Sequence, residues 1–299
     1  MSLYSLLGAL EIGLIFSLVA LGVLISFRIL NFPDLTVDGS FPLGGAVAAT
    51  LIAGGHDPFL ATVCAMLAGG AAGFITGWLN VRLKIMDLLA SILMMIALYS
   101  VNLRVMGAPN IPLISEATVF TMLQPAWLPD YVLRPLVLLV IVIIAKFGLD
   151  WFFASQYGLA LRATGANPRM ARAQGIHTGR ATLTGMFISN ALVGLAGALF
   201  AQTQGGSDIS MGIGTIVIGL AAVIIGDSIL PARRLTLMTL AAVLGAILYR
   251  FVIALALNSD MIGLKAQDLN LVTAVLVTIA LVLPATRKKL FGRKGGKKI

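Results

Sequence analysis

Apolar residues in this chain come in long blocks, with neither the strict alternation of a half-buried strand nor the single stripe of a surface helix. A helix that crosses a bilayer needs about 20 predominantly apolar residues. Nine blocks approach that length: 6–30, 39–54, 58–80, 86–107, 132–150, 180–203, 212–228, 235–257 and 268–285. The pattern predicts an all-α polytopic membrane protein of about nine spanning helices, within a range of eight to ten. The second and seventh blocks are short and glycine-rich, which predicts discontinuous segments. The longest polar interruption is 156–176, QYGLALRATGANPRMARAQGI, which holds Arg162, Arg169 and Arg172 and no acid.

Composition sharpens this picture. The chain is 59% apolar and 11% charged, with a mean hydropathy of +1.00, against about 25% charged residues in soluble domains. One transmembrane domain, 1–285, is expected, with 156–176 as its main polar loop and a basic tail at 286–299. The net charge of +9 raises nucleic acid as a partner, but apolar blocks flank nearly every cation, so none is expected. Lys and Arg concentrate on the cytoplasmic side of membrane proteins. Placing the tail TRKKLFGRKGGKKI in the cytoplasm and counting back puts 156–176 there too, and splits the 21 cations 17 to 4. The four on the other face are Arg104, Arg134, Arg250 and Lys265, and nine spans leave the N-terminus outside. The first block lacks a basic flank and is too long for a cleaved signal, so a retained helix is expected. The single cysteine, Cys64, excludes an intrachain disulfide.

Segment 30–45, LNFPDLTVDGSFPLGG, cannot be an ordinary spanning helix. Pro33 and Pro42 interrupt it, and it carries Asp34 and Asp38. Charge and irregular backbone at membrane depth survive only inside protein or along a watery path. A related run follows 170 residues later: Asp38-Gly39-Ser40 aligns with Asp208-Ile209-Ser210, each leading into a short apolar helix. With the topology above, the two enter from opposite sides, the arrangement of an inverted repeat in a transport pathway. Candidate path residues are Asn31, Asp38, Ser40, Asp208 and Ser210, with Glu11 and Asn190 inside apolar blocks. Asp38 and Asp208 read first as helix N-caps and second as solute contacts. Gly69, Gly73 and Gly77 stack on one face of the third block, which suits close helix packing within the protein. The loop 108–131, with four prolines, is the largest on the outer side.

Several chemistries find no support. His56 and His177 lack partners at ligand spacing, so no metal site is expected. There is no G-x-x-x-x-G-K-[ST] phosphate loop and no Ser–His–Asp grouping, so no catalytic residue is assigned.

Within 156–176, the residues Gly158, Arg162, Ala163, Gly165, Asn167, Pro168, Ala171 and Gly175 form the pattern G-x-x-x-R-A-x-G-x-N-P-x-x-A-x-x-x-G. This resembles the coupling-helix motif of ABC importer permeases of the branched-chain amino acid and simple-sugar superfamily. The likeness extends over nearly the whole chain, including Leu30-Asn31-Phe32 and the glycine-rich 205–226 region. NFPDLTVDGSFPLGG is longer than the matching interval of the branched-chain and sugar permeases and most resembles a tryptophan/tyrosine-type subgroup. The resemblance implies a permease subunit, not an enzyme, that moves an amino acid or similar polar solute by alternating access. It implies ATP and magnesium on partner ATPase subunits, an extracytoplasmic binding protein, a second permease copy or sister chain, and a bacterial or archaeal cytoplasmic membrane. It also predicts a short helix ended by Gly165 and restarted after Asn167-Pro168. The alternatives are a nucleoside or sugar permease of the same superfamily, or a secondary carrier using Asp38, Asp208 or Glu11.

Overall fold

The computed structural model describes residues 3–124, 129–231 and 234–257, together with 275 and 278. Apart from those two positions, the ninth block and the basic tail lie outside the described residues. The other eight blocks are all helical. Helix α1 (Leu3–Val23) continues as a π-helical turn over Leu24–Ile29, and α2 spans Val37–Ala53. Then come α3 (Pro58–Leu83) and α4 (Asp87–Met106). A short strand β1 (Asn110–Pro112) and a single turn α5 (Val119–Met122) precede α6 (Asp130–Ala154). The polar interruption forms α7 (Gln156–Ala166) and α8 (Pro168–Ala173). Helix α9 (Thr178–Gln204), strand β2 (Gly206–Asp208), α10 (Thr215–Ile229) and α11 (Leu235–Leu257) complete the described chain.

Six of these helices are long and apolar enough to cross a membrane, while α2 and α10 are shorter. At 1.5 Å per residue, α2 and α10 extend about 26 and about 22 Å, less than the ~30 Å hydrocarbon core. Each is one unbroken helix preceded by non-helical chain, at 30–36 and 205–214. Helix α1 lies near the centre, with 78% of its apolar window buried, and packs on α6, α9, α10 and α11. Among the described spanning helices α4 and α6 are the least covered, each with 28% of its apolar stretch buried. Their outward faces, such as Ile96 on α4 and Ile144 and Trp151 on α6, are apolar, as lipid contact requires.

Bulky side chains such as Leu14, Leu18, Phe41 and Phe153 fill the core around α1, while the seam between α2, α3 and α9 is closed by glycines. Gly69 and Gly73 of α3 lie directly on the α9 backbone at Asn190 and Met186, and Gly194 of α9 lies on the carbonyl of Ala65. The α2–α9 contact repeats the device, with Gly44 against Gly194 and Gly197 against Phe41. Lipid gives helices little hydrophobic drive to associate, so dispersion contacts at such close approach carry the packing. The glycine face of the third block is thus an internal seam.

At one end of the bundle β1 pairs antiparallel with β2, placing Asn110 opposite Asp208 and Pro112 opposite Gly206. The opposite end holds α7, α8, the α3–α4 turn and the Arg28–Asp227 ion pair at 2.9 Å.

Candidate functional site

The broken segment builds a buried polar centre. The π-helical turn ends at Leu30, and Asn31 takes a left-handed φ of 55°, which turns the chain sharply away from α1. Asp34 is fully buried. Its carboxylate accepts the Thr36 N–H at 3.0 Å and the Asn190 side-chain amide at 2.7 Å. The Ser40 hydroxyl donates to the carbonyl oxygen of the same Asn190 side chain at 2.7 Å. Thr36 and Thr76 share a hydroxyl hydrogen bond of 2.8 Å. One side chain of α9 therefore ties the linker before α2 to the first turn of α2, and α3 closes the group.

Asp38 faces away from this cluster. Its carboxylate accepts the N–H of Ile216 at 2.7 Å and that of Gly214 at 3.3 Å, so it caps the start of α10. The cap is made in trans, by a residue in the first turn of α2 rather than by the flanking residue predicted for its own helix. Proline explains the close approach. Pro42 has no N–H to give the Asp38 carbonyl, and Gly212 packs against that carbonyl and the proline ring. From this junction α2 runs towards the β1–β2 end and α10 towards Arg28 and Asp227. Two short helices thus start together and run in opposite directions.

The proposed equivalence of Asp208 and Asp38 does not hold. Asp208 lies in β2, ahead of Thr215 where α10 begins, and its carboxylate accepts the Ser210 N–H at 2.7 Å and the Ser210 hydroxyl. That is a local turn, not a helix cap, because the chain descends in irregular form through 209–214 before it winds. Glu11 is also separate. It lines a small hollow with Tyr4, Tyr131, Asp130 and Arg134, near the start of α6. The structure thus brings Ser40 and Asn190 together, sets Asp38 beside them, and leaves Asp208, Ser210 and Glu11 apart. Asp34 is the member that sequence reasoning left out of the candidate set. Its signal was Asp-x-Thr after a proline, a pattern that favours a carboxylate folding back onto the backbone.

The 156–176 loop is a two-helix knob. The Ser155 hydroxyl accepts the Gly158 N–H at 3.2 Å and starts α7. Gly158 rests on the backbone of Phe152 and Phe153, where a side chain has no room. Asn167 closes α7, its N–H reaching the Ala163 carbonyl at 3.0 Å, and opens α8, its side chain accepting from Arg169 and Met170 at 3.1 Å each. Pro168 fits the first helical position, where no N–H is needed. Ala171 is buried, and Gly175 turns the chain at a φ of 82°. Arg162, Arg169 and Arg172 are exposed. Gly165 does not end the helix, which continues to Ala166. Its role is contact: it sits on the carbonyl of Ile29 and the Cα of Leu30. The knob is thereby seated on the two residues that lead into Asn31 and the buried centre.

These features define a multi-pass helical membrane protein with two short helices meeting at a polar centre and a basic knob seated on the same chain segment. Residues 5–283 match the family described as branched-chain amino acid transport system / permease component. The chain belongs to this permease family of ABC transporters. It is 40% identical over 266 residues to the tyrosine transport system permease protein of Clostridioides difficile (strain R20291), covering 89% of this chain and 86% of that protein. It is 36% identical over 281 residues to the uncharacterized protein RP368 of Rickettsia prowazekii (strain Madrid E), covering 92% and 96%. The galactofuranose transporter permease protein YtfT of Escherichia coli (strain K12) is more distant, at 25% identity over 85% of this chain and 72% of that protein. No solved structure matches the chain.

Proposed function

We propose that this chain is the membrane-spanning subunit of an ATP-driven importer for an amino acid, aromatic or branched-chain, with its 156–176 knob docked on a partner ATPase. The observation that carries the coupling is the seat of Gly165 on Ile29 and Leu30. A displacement of α7 acts directly on the end of α1 and, through Asn31, on the linker that holds Asp34. The Asp38 cap then passes it to α10. Alternating access of this kind needs stiff elements that meet at a switchable contact, and the α2–α10 junction supplies one.

The family description and the tyrosine permease relative favour an amino acid over a sugar. ATP and magnesium belong to the partner in this reading, and an extracytoplasmic binding protein delivers the solute. A second permease copy or a sister chain completes the path. The protein has nine spans in a bacterial or archaeal cytoplasmic membrane, with its N-terminus outside and its C-terminus in the cytoplasm.

Arg162→Glu reverses an exposed charge of the knob, and Gly165→Leu forces α7 off Ile29. Both are expected to abolish ATP-dependent uptake in proteoliposomes while the subunit still inserts. The Arg162 change is also expected to reduce co-purification of the ATPase. Uptake that persists after deletion of the ATPase would refute the importer reading.

A further inference from the structure

The knob does not stand alone at its end of the molecule. A cleft of about 540 Å³ opens between it and the α3–α4 turn, bordered by Asn31, Asn80, Lys84, Asp87, Pro168 and Arg172. A second hollow of about 440 Å³ continues from Arg172 past Val81 to Arg82, His177 and Arg180. The groove is predominantly basic, with four cations against one acid, Asp87. Arg82, Lys84, Arg172 and Arg180 are all exposed, and neither ion pair found among the described residues involves them. Asp87, the acid of the groove, has its carboxylate occupied by the Asn80 amide. One rim is apolar: Met86, which borders the cleft, is 74% exposed.

We propose that this groove is a second docking surface for the ATPase and receives an acidic projecting segment of that subunit. The proposal rests on the reading that the 156–176 knob meets an ATPase, and it adds the α3–α4 turn and the start of α9 to the contact. Cations facing each other across a concave wall suit an inserted acidic element, because opposite charge can then lie on both sides of it. An exposed methionine at the rim suits an adaptable protein contact. A bilayer surface is flat and cannot enter such a cleft. The turn is also mechanically joined to the permease, since Gly179 of α9 lies 2.7 Å from Val81 for any added side chain, leaving no slack between the two walls. Contact on both walls lets the ATPase pull the bundle as well as push it.

The test uses the full complex in nanodiscs. Arg82→Glu with Lys84→Glu is expected to lower retention of the ATPase on tagged permease by about tenfold at moderate salt. Arg82→Lys with Lys84→Arg is expected to retain it. If the reversal pair fails to insert, Arg82→Gln with Lys84→Gln is read instead, and a weaker loss of retention in the same direction is expected. A photo-crosslinking residue placed at Met86 is expected to capture the ATPase. Capture of lipid alone would overturn the proposal in favour of headgroup binding. Unchanged retention in both the reversal and the neutral pair would overturn it as well, while leaving the knob reading intact. A wild-type complex that never retains the ATPase would instead refute the knob reading beneath it.

Discussion

Asp34, in the linker before α2, and Asp38, in its first turn, have opposite tasks. Asp34 folds inward and satisfies Asn190, whereas Asp38 reaches outward and caps α10. Removing Asp34 leaves the Asn190 amide and the Thr36 N–H short of an acceptor in a buried site, which costs about 1–3 kcal/mol. Removing Asp38 strips a cap, a loss of about 0.5–2 kcal/mol. Asp208 makes only an exposed turn, so its loss stays within about 0.5 kcal/mol. Thermal unfolding in detergent is therefore expected to rank Asp34→Ala and Asp38→Ala well below wild type, with Asp208→Ala close to it. Asp38→Asn keeps one acceptor oxygen and is expected to hold most of the transport rate. Complete loss of uptake in a well-folded Asp38→Asn protein would point instead to direct contact of the carboxylate with the solute. The sequence showed Asp38 and Asp208 as equals because both precede Gly- and Ser-containing runs. Which backbone N–H a carboxylate meets depends on another helix, and spacing along the chain does not carry that information.

At the scale of elements, hydropathy blocks were enough to locate eight helices, because each must bury or present apolar surface along its whole length. Short pieces were less legible. The β1–β2 pair joins residues almost a hundred positions apart, and neither strand has three residues that read as extended by propensity. The two-helix knob was legible, since Asn167-Pro168 punctuates it, but Gly165 was misread as a stop. A glycine that ends a helix and a glycine that admits a neighbour look alike until the neighbour is seen. The same distinction gives a test. A Cβ on Gly73 meets the Met186 carbonyl and the Asn190 side chain, whereas Gly148 has open space around it. Overpacking of this kind costs about 1–3 kcal/mol, so Gly73→Ala is expected to lower the unfolding temperature and the yield of monodisperse protein. Gly148→Ala is expected to leave both unchanged.

For the whole molecule, the decisive question is which end faces the cytoplasm, because an ATPase can reach the knob from one side only. The argument is electrostatic. Translocating Lys and Arg near a span end is disfavoured, so the face with more cations stays inside. A nine-span count places 17 of the 21 cations on the knob's side. The two ends can be told apart with one reactive group each. Cys64 is the sole cysteine, so Cys64→Ala gives a background without thiols. Glu116→Cys then marks the loop beside β1, and Gln174→Cys marks the knob, both at exposed positions. A membrane-impermeant maleimide added to intact cells is expected to label the first and spare the second. Opening the membrane is expected to bring the second to full labelling. The reverse pattern would put 156–176 outside the cell. The knob, the basic groove beside it and the seat of Gly165 on Ile29 would then have no ATP-driven partner to answer to, and the carrier reading would become the stronger one.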